Sequence, residues 1–129
     1  MATSTPGGGQ TSLGMAPNVA GLLCYVPCCI GLIFSIVVAI AEKTSRSVRF
    51  HAFQSLLLHA AGIAAMLVLM FVQVLLATVG LGAVGGLIMI VQWVVAIGLG
   101  VVMILMMIKA NAGEEFALPV IGPMARGWV

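Results

Sequence analysis

The chain has 129 residues, of which 63% are hydrophobic and only 6% charged, and its formal charge is +2. Soluble globular domains carry roughly a quarter charged residues, so this composition excludes one and predicts an all-α integral membrane protein. So small a net charge gives no basic face for nucleic acid, which is excluded as a partner.

Residues 1–17, MATSTPGGGQTSLGMAP, are rich in Gly, Ser, Thr and Pro and contain nothing periodic to bury, so a disordered tail is expected. Residues 18–41 form an apolar run long enough to cross a bilayer core, with Asn18 placed to cap a helix and Pro27 placed to kink it. No Lys or Arg precedes this run, and it exceeds the core length of a signal peptide, so it reads as an uncleaved span. Cys24 and Cys28 share one helix face and Cys29 points elsewhere. With no histidine nearby, the three are expected to be small packing residues and no metal is assigned.

The next stretch, EKTSRSVRFHAFQSLLLHA at 42–60, gathers four charged residues, both histidines and Gln54. Lys43, Arg46 and Arg49 make a basic loop whose charges hold it in the cytoplasm and against anionic lipid, with Glu114 and Glu115 of the carboxyl tail as a possible acidic contact. A second span is expected over about 50–79, which as a helix would be about 45 Å long against a hydrocarbon core of about 30 Å. At about 100° per residue, His51, Gln54, Ser55, His59 and Gln73 fall on one side of this helix, as do Gly62 and Met66. Such a polar face must pack against other helices or line a cavity. The two histidines are about 12 Å apart along the axis and cannot share one ion.

The glycine-rich segment at 78–86 predicts a turn into a third span over about 84–109, which Lys109 would close at the interface. Ala96 and Gly100 give this helix a small-xxx-small pair suited to close helix packing. Residues 111–129 read as a short cytoplasmic tail. Three spans, with every Lys and Arg in the first loop or after the third helix, predict an outside amino terminus and a cytoplasmic carboxyl terminus in the inner (plasma) membrane.

NVAGLLCY at 18–25, GLIF at 31–34, the charged loop with RFHAFQS, and KANAGEEFALPVIG at 109–122 resemble the bacterial small membrane proteins related to the chloroplast inner-envelope import component. That resemblance implies a helical membrane protein, a role near protein translocation, and no established catalytic residue. The residues themselves offer no nucleophile with an adjacent base and no intramembrane acidic pair, so no enzyme and no cofactor are expected. The expectation is a scaffold, assembly or translocation factor that binds lipid and either self-associates or joins a larger complex. The alternative is a subunit of a small-molecule or ion transporter using the polar face of the second helix.

Overall fold

A computed structural model describes residues 10–27 and 29–129. The expected disorder of residues 1–9 and the side chain of Cys28 lie outside the described residues. Residues 10–17, expected in the same disordered tail, instead hold a turn over Thr11–Met15 and a bond from Ser12 to Glu42. The described chain forms α1 (Pro17–Cys24), α2 (Cys29–Ala41), α3 (Arg46–Thr78), α4 (Gly82–Asn111) and α5 (Ile121–Arg126). The all-helical expectation holds, but the first apolar run is not one span. It divides into α1 and α2 of 8 and 13 residues, and among the described residues only α3 and α4 are long and apolar enough to cross a membrane.

Pro27 is the physical cause of the division. It has no N–H to donate to the carbonyl of Leu23, its ring collides with that carbonyl in a continuous helix, and it drives Val26 out of helical geometry. The Leu23 carbonyl instead accepts from Val26 at 3.4 Å, closing a tight last turn. At the start of α2 a Cβ on Gly31 would collide with the carbonyl of Val26, so only glycine fits there. The contacts Cys24–Ser35 and Ser12–Glu42 show α2 returning antiparallel to the segment that carries α1. The expected cap also moves: Ala16 is the cap residue, Pro17 opens the helix, and the Asn18 amide donates to the carbonyl of Asn111 at 3.3 Å.

Ser45 starts α3 by accepting the N–H of Val48 at 3.3 Å, so Arg46 and Arg49 stand on the first helical turns rather than in a loop. The connection from α3 to α4 is short, and Gly80 supplies the left-handed φ of 81° that it needs. Glycines 82 and 86 lie inside α4. The pairs Gly62–Leu99 and Gln73–Gly85 establish an antiparallel hairpin. After Gly113, at φ 80°, the chain turns back along the first turns of α3, so residues 114–129 form a short segment carrying α5 and held against α3.

These connections bring the described amino-terminal residues, the α2–α3 loop and the carboxyl-terminal segment to one end of the molecule. The expected opposition of the two ends finds no support in this arrangement of the described residues. The first 17 residues contain no Lys or Arg, so the charge rule never constrained the side on which they lie. The core sits at this same end, where Ala20, Cys24, Tyr25, Val38, Val48, Ala52, Met106 and Ala110 pack together from four helices. Small residues beside Tyr25 and Met106 allow close approach of the helices: a Cβ on Gly21 would lie 3.1 Å from the His51 ring and 3.3 Å from Ala110.

Candidate functional site

Gln54 is fully buried on the third turn of α3 and spends its amide on three partners. Its Nε2 donates to Tyr25 Oη at 2.8 Å and to the carbonyl of Phe116 at 2.9 Å, while its Oε1 accepts the N–H of Leu118 at 2.8 Å. The partners fix the amide's orientation, because a carbonyl can only accept and an N–H only donate. The Tyr25 hydroxyl that accepts from Gln54 also lies at hydrogen-bond distance, 3.2 Å, from His51 Nδ1. One side chain thus ties α1, α3 and the returning carboxyl segment together. RFHAFQS and EFALPVIG, far apart in sequence, are physically joined through Gln54.

Ser55 and Ser35 both donate to the carbonyl of Cys24 at the end of α1. His59 Nδ1 lies 2.9 Å from the carbonyl of Ser55, one turn back, and 3.2 Å from its hydroxyl. Among the described residues, His59 Nε2 is buried without a hydrogen-bond partner. The structure therefore gathers His51, Gln54, Ser55 and His59 on one buried face. Gln73 is not part of this group; it is half-buried beside Gly85, about 21 Å further along the helix.

The basic end holds a group that charge counting conceals. Glu42 is fully buried. Its Oε1 accepts from the amides of Thr44 and Ser45 at 2.8 and 2.9 Å and from the Thr44 hydroxyl at 2.8 Å, and its Oε2 accepts from the amide of Ser12 at 2.9 Å. Burial by itself would raise the carboxyl pKa, but these donors outweigh it and hold the group at about 2, against an ordinary 4.5. Glu42 thus fastens the amino-terminal segment to the start of α3. Its E-x-x-S spacing to the cap residue Ser45 is the one sequence signal that could have found it.

Lys43 and Arg46 are exposed and Arg49 is half-buried, its guanidinium 5.8 Å from the Phe53 ring centre. The suggested contact of this basic loop with the tail glutamates is replaced by pairs within the carboxyl region. Lys109 binds Glu114 at 3.0 Å and Arg126 binds Glu115 at 3.3 Å, with Arg126 also stacked 4.4 Å above Phe50. Cys24 is buried and Cys29 exposed, and no group of three or more possible metal ligands occurs among the described residues.

Comparison with known proteins corrects the resemblance drawn from the motifs. Neither match below involves the plastid import component, and the translocation role that the resemblance implied falls with it. The pattern that defines the magnetosome magnetite crystal formation protein family matches residues 10–125. A UPF0132 membrane protein of Methanocaldococcus jannaschii is 36% identical over 117 residues, covering 91% of this chain and 92% of that relative. No solved structure matches. The matched region runs from the segment held by Glu42 to the end of α5, and the chain therefore belongs to the magnetosome magnetite crystal formation protein family, a family of small membrane proteins.

Proposed function

We propose that this protein is a non-catalytic scaffold whose α3–α4 hairpin spans a membrane and whose packed end forms a rigid cap on the cytoplasmic side. All five Lys and Arg residues, 43, 46, 49, 109 and 126, lie at that end, where the positive-inside rule favours the cytoplasm. Both described ends of the chain are then cytoplasmic, and α1 and α2 form a re-entrant pair that does not cross. A cysteine at Gly80 should react with an impermeant reagent added outside intact cells, and one at Lys43 should not. The reverse pattern overturns the topology.

The observation that carries the scaffold reading is the contrast between the cap, where Gln54 is spent on structure, and residues 63–84, none of which is buried. A transporter subunit would need the polar face of α3 open to water, whereas Gln54 and Ser55 are closed against protein. The bare faces of α3 and α4, with Phe71 64% and Trp93 66% exposed, are available to lipid and to other copies. Cysteines at Phe71 and Trp93 should crosslink protein to protein in native membranes, and one at Ser55 should resist aqueous thiol reagents. A chain that never crosslinks, or a Ser55→Cys that reacts as fast as an exposed site, removes the scaffold reading.

A further inference from the structure

The carboxyl-terminal segment is built inside out. In α5 the small residues Gly122 and Ala125 are buried, while Val120 at the helix start, Met124, and Trp128 just past the end are 74%, 48% and 53% exposed. These three are spaced four apart, so on a helical path they lie one above another on one side. Phe116, in the stretch that leads into α5, is 44% exposed. A segment that met water on this side would carry polar side chains there.

Val120 has φ 66° and ψ −53°, and across it the N–H of Ile121 donates to the carbonyl of Pro119 at 2.7 Å. This is a γ-turn of the rare positive-φ kind, and a β-branched side chain is strained in it. Glycine would make the same turn freely. The valine adds little to the packing, because it is the most exposed large apolar side chain among the described residues. Its surface is available only to something outside the protein.

The neighbouring surface says what lies outside. The bare face of α4 runs through Leu105 and Ile108 to Lys109, whose ammonium is 5.0 Å from the centre of the Phe116 ring. Phe116 therefore continues the face that the hairpin turns to lipid, at the level where a lysine snorkels to the headgroups. Arg126 over Phe50 and Arg49 beside Phe53 repeat the pairing of cation with ring, and Trp128 packs edge-on against Phe53 with ring centres 5.8 Å apart. Helical membrane proteins concentrate tryptophan and basic side chains at the boundary between membrane and water.

We propose that the carboxyl-terminal segment is an interfacial anchor laid on the leaflet next to the cap, with Phe116, Val120, Met124 and Trp128 seated among lipid headgroups and upper acyl chains. This anchor presupposes the reading that the α3–α4 hairpin spans the membrane. It adds a second attachment, parallel to the membrane surface, and so sets how deep the cap sits.

The chain has two tryptophans, Trp93 in the bare part of α4 and Trp128 in the segment, so single changes to Phe leave one reporter for each claim. Full-length protein is reconstituted in a large excess of phosphatidylcholine, either plain or brominated on its acyl chains. In Trp93→Phe, brominated lipid should remove most of the Trp128 emission, and acrylamide in the water should remove little. Adding Val120→Asn and Met124→Gln should shift that emission to the red and open it to acrylamide. Both positions are exposed and Asn accepts positive φ, so the unfolding temperature in detergent should stay unchanged.

Trp128 quenched by acrylamide and not by brominated lipid faces water, and Trp128 protected from both is covered by protein. Either result overturns the anchor, as does a double variant whose Trp128 emission matches its parent. In Trp128→Phe, quenching of Trp93 tells two failures apart. Trp93 quenched by brominated lipid with Trp128 unquenched overturns the anchor alone, whereas neither quenched overturns the spanning hairpin as well.

Discussion

The two halves of α3 are one continuous helix with opposite relations to their surroundings. Residues 46–62 contain all nine of its buried positions, among them His51, Gln54, Ser55 and His59, whereas residues 63–78 contain none. The polar half is inside protein and the apolar half is bare. That inversion is stable only where the second half meets hydrocarbon, so the helix records the change of solvent along its own length. Specific packing is confined to the first half, and substitutions should respect that boundary.

The largest effect is expected at Gln54. Gln54→Leu keeps the volume but strands Tyr25 Oη, the Phe116 carbonyl and the Leu118 N–H, at a cost of about 2–4 kcal/mol. The matching change in the bare half, Gln73→Leu, removes no comparable set of bonds and should move stability by under about 0.5 kcal/mol. Thermal unfolding in one detergent compares the two directly. The carboxyl segment of Gln54→Leu should also become sensitive to protease, because Gln54 is its hydrogen-bonded anchor. Equal losses at 54 and 73 would remove the distinction between the halves.

How much of this was legible in the sequence differs by element. α3 and α4 were readable because each is a long apolar run bounded by a charge or a glycine turn, and hydropathy reports that directly. The polar face of α3 was readable from helical periodicity, although Gln73 shares the angle without sharing the site, since periodicity carries no information about depth. The break at Pro27 was read as a kink. Hydropathy is the same for one span and for two short antiparallel helices, and the choice depends on whether Gly31 lets the chain pass close to Val26. Glu42 read as one more loop charge because burial of a carboxylate depends on donors arriving from Ser12, remote in sequence. The anchoring of Leu118 and Phe116 on Gln54 is likewise a tertiary fact with no local signature.

Glycine sharpens the comparison by a different route. Gly21→Val introduces methyl groups where even a Cβ would press on His51 and Ala110, and overpacking of this kind costs about 1–3 kcal/mol. Gly98→Val is on the exposed face of α4, where a Cβ meets nothing within 4 Å. It should be tolerated in the folded protein, and the added apolar surface should strengthen retention in the bilayer. Unfolding midpoints in denaturant, read with the slope held constant, distinguish a packing loss at Gly21 from a change in the denatured state.

The smallest expected effect separates two glutamates of the same end by pH. Glu42 has a folded-state pKa lowered to about 2 from 4.5, so an unfolded chain takes up a proton on this group at a pH where the folded chain refuses it. Its contribution is therefore fully present above about pH 4.5 and is lost progressively as pH falls towards about 2. Glu42→Gln should cost about 1–2 kcal/mol at neutral pH and flatten the stability profile across that acid window, because the amide cannot replace a carboxylate that accepts on both oxygens. Glu115→Gln breaks only an exposed pair with Arg126 and should cost under about 1 kcal/mol, an amount that salt screens away. Chemical denaturation at pH 7 and pH 3, at low and high salt, reads both variants in one experiment. A Glu42→Gln protein with the wild-type acid slope would mean that the carboxylate at the α2–α3 junction is a surface charge like Glu115, and that the amino-terminal segment is held to the cap by packing and by its other hydrogen bonds, such as that from the Lys43 amide to the Ser12 hydroxyl.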